Sequence, residues 1–148
     1  MNVRIIISIL LLSIICFFNI VSAADGEFRD GSNRTVGYLK SDGSVRDGSN
    51  REIGAFKDNG DVRDASNRTI GYISTNGDIR DGSNRTIGYV KDDDSVRDGS
   101  NRIIGYVKSD GSVRNASNRT IGYAKNASKA HAAAFFFFFF YEDREKVN

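Results

Sequence analysis

Between residues 25 and 126 the apolar and polar positions recur with a period of 17. Arg29, Arg46, Arg63, Arg80, Arg97 and Arg114 keep that spacing, and the units begin at Asp25, Asp42, Asn59, Asn76, Asp93 and Asp110. The ideal unit reads D-G-S-V-R-D-G-S-N-R-T-I-G-Y-V-K-S. Branched and aromatic residues gather in T-I-G-Y-V and S-V-R-D, with turn formers between them, which predicts two short strands per unit. Seventeen residues are too few for a pair of helices, so the period itself points to β-hairpins.

Two turns punctuate each unit. Asp42-Gly43, Asn59-Gly60, Asn76-Gly77 and Asp110-Gly111 are the pairs favoured in two-residue type I′ hairpins, and Asp93-Asp94 is expected to be the strained exception. The second turn opens with Gly48, Ala65 or Gly82, so its first position does not need positive φ. Ser49 and Asn50 have identical copies in every unit and are expected to satisfy turn backbone groups. A two-residue turn at Asp42-Gly43 would pair Lys40 with Val45, Leu39 with Arg46 and Tyr38 with Asp47. Val36, Tyr38 and Val45 then form the expected core face, opposite Thr35, Gly37, Leu39 and Arg46. Unit two alone carries Ala55-Phe56 where its neighbours have Tyr and then a branched or aliphatic residue. A glycine repeated in mid-strand, such as Gly37, marks the close approach of another backbone or a bulky side chain.

Outside the repeat the chain changes character at both ends. Residues 1–23 read as a signal peptide: Arg4 supplies the positive start, Ile5 to Ile20 the apolar stretch, and Val21-Ser22-Ala23 a cleavage site. The apolar run is shorter than the ~20 residues of a spanning helix, so cleavage after Ala23 and a secreted or periplasmic location are expected. Cys16 does not signal lipidation, because the bulky Ile15 precedes it. At the other end, residues 127–141 form an Ala- and Phe-rich closing segment with six consecutive phenylalanines, Phe135 to Phe140, and Tyr141. Residues 142–148 are a charged tail. A segment apolar on every face belongs in the middle of a structure. Six buried phenylalanines could offset about 10 kcal/mol of ordering cost. The expected fold is therefore all-β: hairpin repeats in a closed ring around a central poly-Phe strand, forming one domain over residues 24–141. The alternative is an open β-solenoid with 17-residue coils. Five complete hairpins plus a pairing of the terminal strands would make six positions. If the terminal strands pair elsewhere, such as with Phe135 to Phe140, the count is five, and the sequence leaves the two open.

Composition narrows the chemistry. Formal net charge is +2, from 21 Lys+Arg and 19 Asp+Glu, too balanced for general attraction to nucleic acid. The only Cys lies in the leader and there is one His, His131. Disulfides, the common zinc sites and His-based catalysis are close to excluded. The acidic tips lack calcium-loop spacing. Nearly every carboxylate outside the tail is a repeated one, which disfavours a unique catalytic pair. No catalytic residue, metal site or cofactor is expected.

The signal peptide, the tandem R-[DN]-[GA]-S-N-R-T-I-G-Y units (Arg85 to Tyr89 for the R-T-I-G-Y core) and the terminal A-A-A-F-F-F-F-F together resemble the 5-fold β-flower proteins over Asp25 to Tyr141. The resemblance implies petals of β-hairpin around a centre in a small secreted bacterial protein. It implies no established activity and therefore no functional residues to carry over. The expected function is a non-enzymatic exported binding or scaffold module. The alternative is a small hydrolase or lectin-like protein acting on glycan or cell-wall polymer. A glycan or a surface protein is the expected kind of partner. Arg46, Arg63, Arg80, Arg97 and Arg114 are the candidate ligand contacts, since a closed ring would repeat them at equivalent sites. On the competing reading these arginines pair with nearby Asp and cover the sheet.

Overall fold

A computed structural model describes residues 24–141. The leader 1–23 and the charged tail 142–148 lie outside the described residues. Twelve strands follow one another: β1 (Gly26–Asp30), β2 (Thr35–Leu39), β3 (Ser44–Asp47), β4 (Glu52–Phe56), β5 (Asp61–Asp64), β6 (Thr69–Ile73), β7 (Asp78–Asp81), β8 (Thr86–Val90), β9 (Ser95–Asp98), β10 (Ile103–Val107), β11 (Ser112–Asn115) and β12 (Thr120–Lys125). Each pairs antiparallel with its neighbours in sequence, and β1 closes the barrel on β12 through Phe28 opposite Ala124 and Arg29 opposite Tyr123. The ring is therefore closed and six-fold. The terminal strands supply the sixth position by pairing with each other, and the open solenoid is excluded.

Both turns of a unit share one geometry. At the tip, the Gly43 N–H donates to the Lys40 carbonyl and the Lys40 N–H to the Ser44 carbonyl, each at 2.9 Å, with Gly43 at φ 83°. This is a three-residue loop, a type I turn followed by one left-handed residue, and it replaces the two-residue type I′ turn expected for Asp42-Gly43. At the second turn Asn50 takes the left-handed role at φ 65°, with the same bonds between Asn50 and Asp47 and between Asp47 and Arg51. Asn is thus fixed by its tolerance of positive φ. The backbone groups are satisfied by Asp47, whose Oδ1 accepts from the Ser49 and Arg51 N–H groups at 2.9 Å.

The longer loop moves the register by one residue. Leu39 faces Val45, Tyr38 faces Arg46 and Gly37 faces Asp47. A one-residue shift exchanges the two faces of a strand relative to its partner, so the expected core face is corrected. Gly37, Leu39 and Val45 point inward, whereas Tyr38 joins Arg46 outside. Val36 still packs on the core because a bulge lies beside it: Phe28 pairs with Gly37 and Arg29 with Thr35, leaving Val36 unmatched. Ile53, Ile70, Ile87, Ile104 and Ile121 repeat this arrangement. One inward residue per unit (Phe28, Val45, Val62, Ile79, Val96 and Val113) is fully buried.

An eight-stranded barrel is about the widest that its own side chains fill. With twelve strands, this one is filled by its C-terminal segment. A short helix, α1 (Lys129–Ala133), is capped by Ser128, whose Oγ accepts from the His131 N–H, and it lies at the mouth formed by the Asp-Gly tips. Ala132, Ala133 and Ala134 are completely buried, small enough to bring backbone into the barrel. Residues Ala134–Phe139 then form a π-helix, where a strand was expected. A run of phenylalanine reads alike for either element; the barrel decides between them. The Phe140 N–H donates to the Phe135 carbonyl at 3.3 Å and the Tyr141 N–H to the same oxygen at 2.9 Å, so about six residues complete the turn.

Candidate functional site

Six phenylalanines meet six glycines. Phe135 lies over Gly37, Phe136 over Gly122, Phe137 over Gly105, Phe138 over Gly88, Phe139 over Gly71 and Phe140 over Gly54. Each residue along the helix steps back by one petal. An α-helix, at 3.6 residues per turn, would skip petals; the wider turn matches them. A Cβ placed on Gly37 would lie 2.6 Å from Phe135 Cζ and 2.9 Å from the Arg46 carbonyl oxygen. The mid-strand glycine thus answers both a ring and a neighbouring backbone.

The outer wall carries the predicted arginines. Cross-strand pairing sets Arg46 against Tyr38, Arg80 against Tyr72, Arg97 against Tyr89, Arg114 against Tyr106 and Arg29 against Tyr123. Arg63 faces Ala55, which interrupts the belt. The barrel brings these arginines to equivalent heights but points them away from one another, so they line no common pocket. Each is tied to its own petal. Arg46 donates from Nη1 to the Asn50 carbonyl at 3.0 Å, Arg63 to Asn67 Oδ1 at 3.1 Å and Arg80 to Asn84 Oδ1 at 3.2 Å. Arg97 donates from Nε to Ser95 Oγ at 3.2 Å, and Arg114 from Nη1 to Asn118 Oδ1 at 3.2 Å. The Nε atoms of Arg46, Arg63, Arg80 and Arg114 lie beneath the surface without a hydrogen-bond partner. These side chains are laid along the wall.

The second arginine of each unit behaves differently, and sequence reasoning passed over it. Arg34, Arg51, Arg68, Arg85 and Arg102 stand at the Ser-Asn turns with side chains 74–80% exposed, each ion-paired at 2.7–2.9 Å to Asp30, Asp47, Asp64, Asp81 or Asp98. The backbone N–H of the arginine, its guanidinium and the intervening Ser N–H hold Asp47, Asp64, Asp81 and Asp98 below the ordinary carboxylate range. Asp30 is the most buried of the set, and burial opposes the shift, yet the same donors still lower it. In unit six Asn115 accepts the Arg119 N–H but offers no carboxylate. All six turns lie at one end of the barrel, opposite α1. They form a crown of guanidinium groups, five of them ion-paired within their own turn, around Tyr141, near which Arg34, Arg51 and Arg119 all lie. The signal for this role was the invariant Asp/Asn-to-Arg spacing of four.

At the crown end the aromatic floor is uneven. Phe135 and Phe136 are buried, whereas Phe137 to Phe140 are partly exposed. A cleft of 630 Å³ opens between the β1–β2 and β3–β4 turns, with Phe140 and Tyr141 at its base. Among the described residues no group of three His, Cys, Asp or Glu side chains could hold a metal ion.

Comparison with known proteins agrees with this architecture. Residues 25–140 match the sequence profile described as 5-fold beta-flower protein. No curated protein and no solved structure matches the chain. With the match spanning every petal and all six phenylalanines, the chain belongs to the 5-fold β-flower family, here in a six-petalled form.

Proposed function

We propose that this protein is an exported, non-enzymatic binding module that presents its partner with a rigid, repeated polar crown. The observation that carries the reading is the ring of six turn arginines at one end, five of them exposed yet held in place by their own aspartates. Pre-ordered side chains lose little entropy on binding, and repetition lets weak contacts add through multivalency. Six guanidinium groups against five carboxylates leave the crown nearly neutral, which favours directed hydrogen bonding over attraction to any polyanion. Arginine on the outward face of every petal is the reverse of a lipid-facing wall. Closure of the sheet leaves no edge to recruit a strand. The leader 1–23 supports export to the periplasm or beyond.

Two measurements test this reading. The intact mass of the product from the secreted or periplasmic fraction should match a chain starting at Ala24; a membrane-held product that retains Met1 to Ala23 contradicts export. A glycan array and a pull-down with the mature protein should then yield a partner lost on combined Arg51→Ala, Arg68→Ala and Arg85→Ala substitution. A partner retained by that variant removes the crown from the reading.

A further inference from the structure

A helix inside a rotationally repeated barrel must break the repeat somewhere, because it rises as it turns. The break falls between Phe135, over Gly37, and Phe140, over Gly54, on adjacent petals. Phe135 is 1% exposed, while Phe140 is partly open. Tyr141 starts the next turn and packs on Phe136 and Phe135, with ring centroids at 5.2 and 6.3 Å. The space left at this seam is the 630 Å³ cleft, within the usual range for small-ligand sites. Across the β1–β2 turn, where Tyr141 also borders the gap, only 210 Å³ remains beside Arg119 and Ile121.

The chain departs from its repeat at the same place. Thr35, Thr69, Thr86 and Thr120 have Glu52 as their counterpart in unit two and Ile103 in unit five, so Glu52 is the one charged residue at this position. Glu52 lines the cleft, is 55% exposed and only grazes Arg46 at 3.8 Å. Around it, Arg34 and Arg51 are fixed by Asp30 and Asp47. Two guanidinium groups therefore face three carboxylates across an aromatic base.

We infer that the seam cleft is a binding site for a neutral sugar. The apolar face of a pyranose ring suits the Phe140–Tyr141 base, as an aromatic ring offers an apolar body beside polar groups. Its hydroxyl groups, each both donor and acceptor, suit planar Arg–Asp pairs and the Glu52 carboxylate. The excess negative charge disfavours uronic acids. This assignment rests on the binding-module reading and names the ligand class and the site.

The test is amide-shift mapping by NMR on the ¹⁵N-labelled mature full chain with cellobiose, maltose, diacetylchitobiose and glucuronate. At least one neutral disaccharide should shift the amides of Arg51, Glu52, Ile53 and Tyr141, with glucuronate at least tenfold weaker. Glu52→Thr, which restores the repeat residue at an exposed position, should weaken binding at least tenfold without changing the melting temperature. Neutral sugars that shift nothing, or shifts confined to the Tyr–Arg belt, overturn the site. Equal or tighter binding of glucuronate overturns the charge argument. Sugar binding seen only in a chain ending at Tyr141 makes residues 142–148 the occupant and overturns the assignment. A protein partner captured while no sugar moves these amides sinks this inference and leaves the binding-module reading standing. Sugar binding in the cleft of a chain that is never exported does the converse.

Discussion

The rings of Phe56 and His131 stack 4.6 Å apart and within 13° of parallel. This contact accounts for the irregular wording of unit two. Phe56 occupies the inward position that Leu39, Ile73, Val90 and Val107 hold elsewhere, buried beneath α1, and also meets Phe140 edge-on at 5.5 Å. Ala55 takes the outward place of the tyrosine. The aromatic ring is thus moved from wall to interior where the helix needs a seat.

Burial of His131 lowers its pKa from the ordinary 6.5. The unfolded chain takes up a proton near pH 6.5 while the folded chain does so only lower. Stability from this group is therefore full above pH 6.5 and falls as the pH drops toward the folded value. His131→Leu keeps an apolar partner for Phe56 and should flatten the melting temperature between pH 7 and 5. A slope unchanged in that variant would place its origin elsewhere.

A second acid limb belongs to the turns. Asp47, Asp64, Asp81 and Asp98 all have lowered pKa values, so their contribution is complete above about 3.8 and is lost as the pH falls through the folded values. Melting followed from pH 5 to 2 should steepen below pH 4. Combined Asp47→Asn, Asp64→Asn, Asp81→Asn and Asp98→Asn, the residue type already present at Asn115, should make that limb shallower while lowering stability at pH 7 modestly. The remainder belongs to the other lowered carboxylates, Asp30, Asp42, Asp93, Asp94 and Asp110 among them.

Glycines of the two kinds should differ in their tolerance of alanine. At Gly88 an added Cβ would collide with Phe138 and lie 2.7 Å from the Arg97 carbonyl oxygen. Gly88→Ala should cost about 1–3 kcal/mol by urea denaturation. At Gly82 the nearest atom would be the Thr69 oxygen at 3.2 Å, and Ala65 and Ala116 already occupy the equivalent place. Gly82→Ala should stay within about 0.5 kcal/mol of the parent. Similar losses at both sites would refute the ring-over-glycine packing.

Truncation after Ala134 should abolish cooperative unfolding, because the petals lose their common apolar partner. More sharply, petals and rings are matched in number. Removing one unit, Asn76 to Asp92, strands one ring without a glycine; removing Phe140 as well should restore part of the lost stability. If the double deletion is no more stable than the single one, the one-to-one match has no energetic meaning.

Much of this architecture is legible in the chain. The 17-residue spacing of Arg29 through Arg114 gives the petals, the likeness of the terminal units gives closure, and Gly37 with its copies announces a bulky neighbour. The faces of the strands were read wrongly because Asp42-Gly43 suits two-residue and three-residue loops alike, and only the Lys40–Ser44 bond separates them. The helical form of Phe135–Phe139 has no local signal either: a uniform run has no periodicity, and its winding is set by a barrel of six petals. The seam cleft follows from that winding, and its sequence trace is Glu52, the one charged residue at a position otherwise held by threonine or by Ile103. Asp93-Asp94 did mark an unusual tip. Asp94 adopts φ 70° and pairs with Lys108 and with Lys129 of α1, so the irregular tip fastens the incoming segment.

The plug is the last part of the domain to be synthesised, and this orders its assembly. Every petal and the strand that completes the wall emerge before the run Phe135 to Phe140 that fills the space they enclose. Until then the ring is a hollow shell of individually marginal hairpins, held open by nothing and drawn together by little. The rings of Phe135 to Phe140 can join the wall only after all twelve strands exist, so filling of the core is the last step open to the domain. A protein whose interior is supplied by its own end has, in effect, a built-in delay on becoming solid.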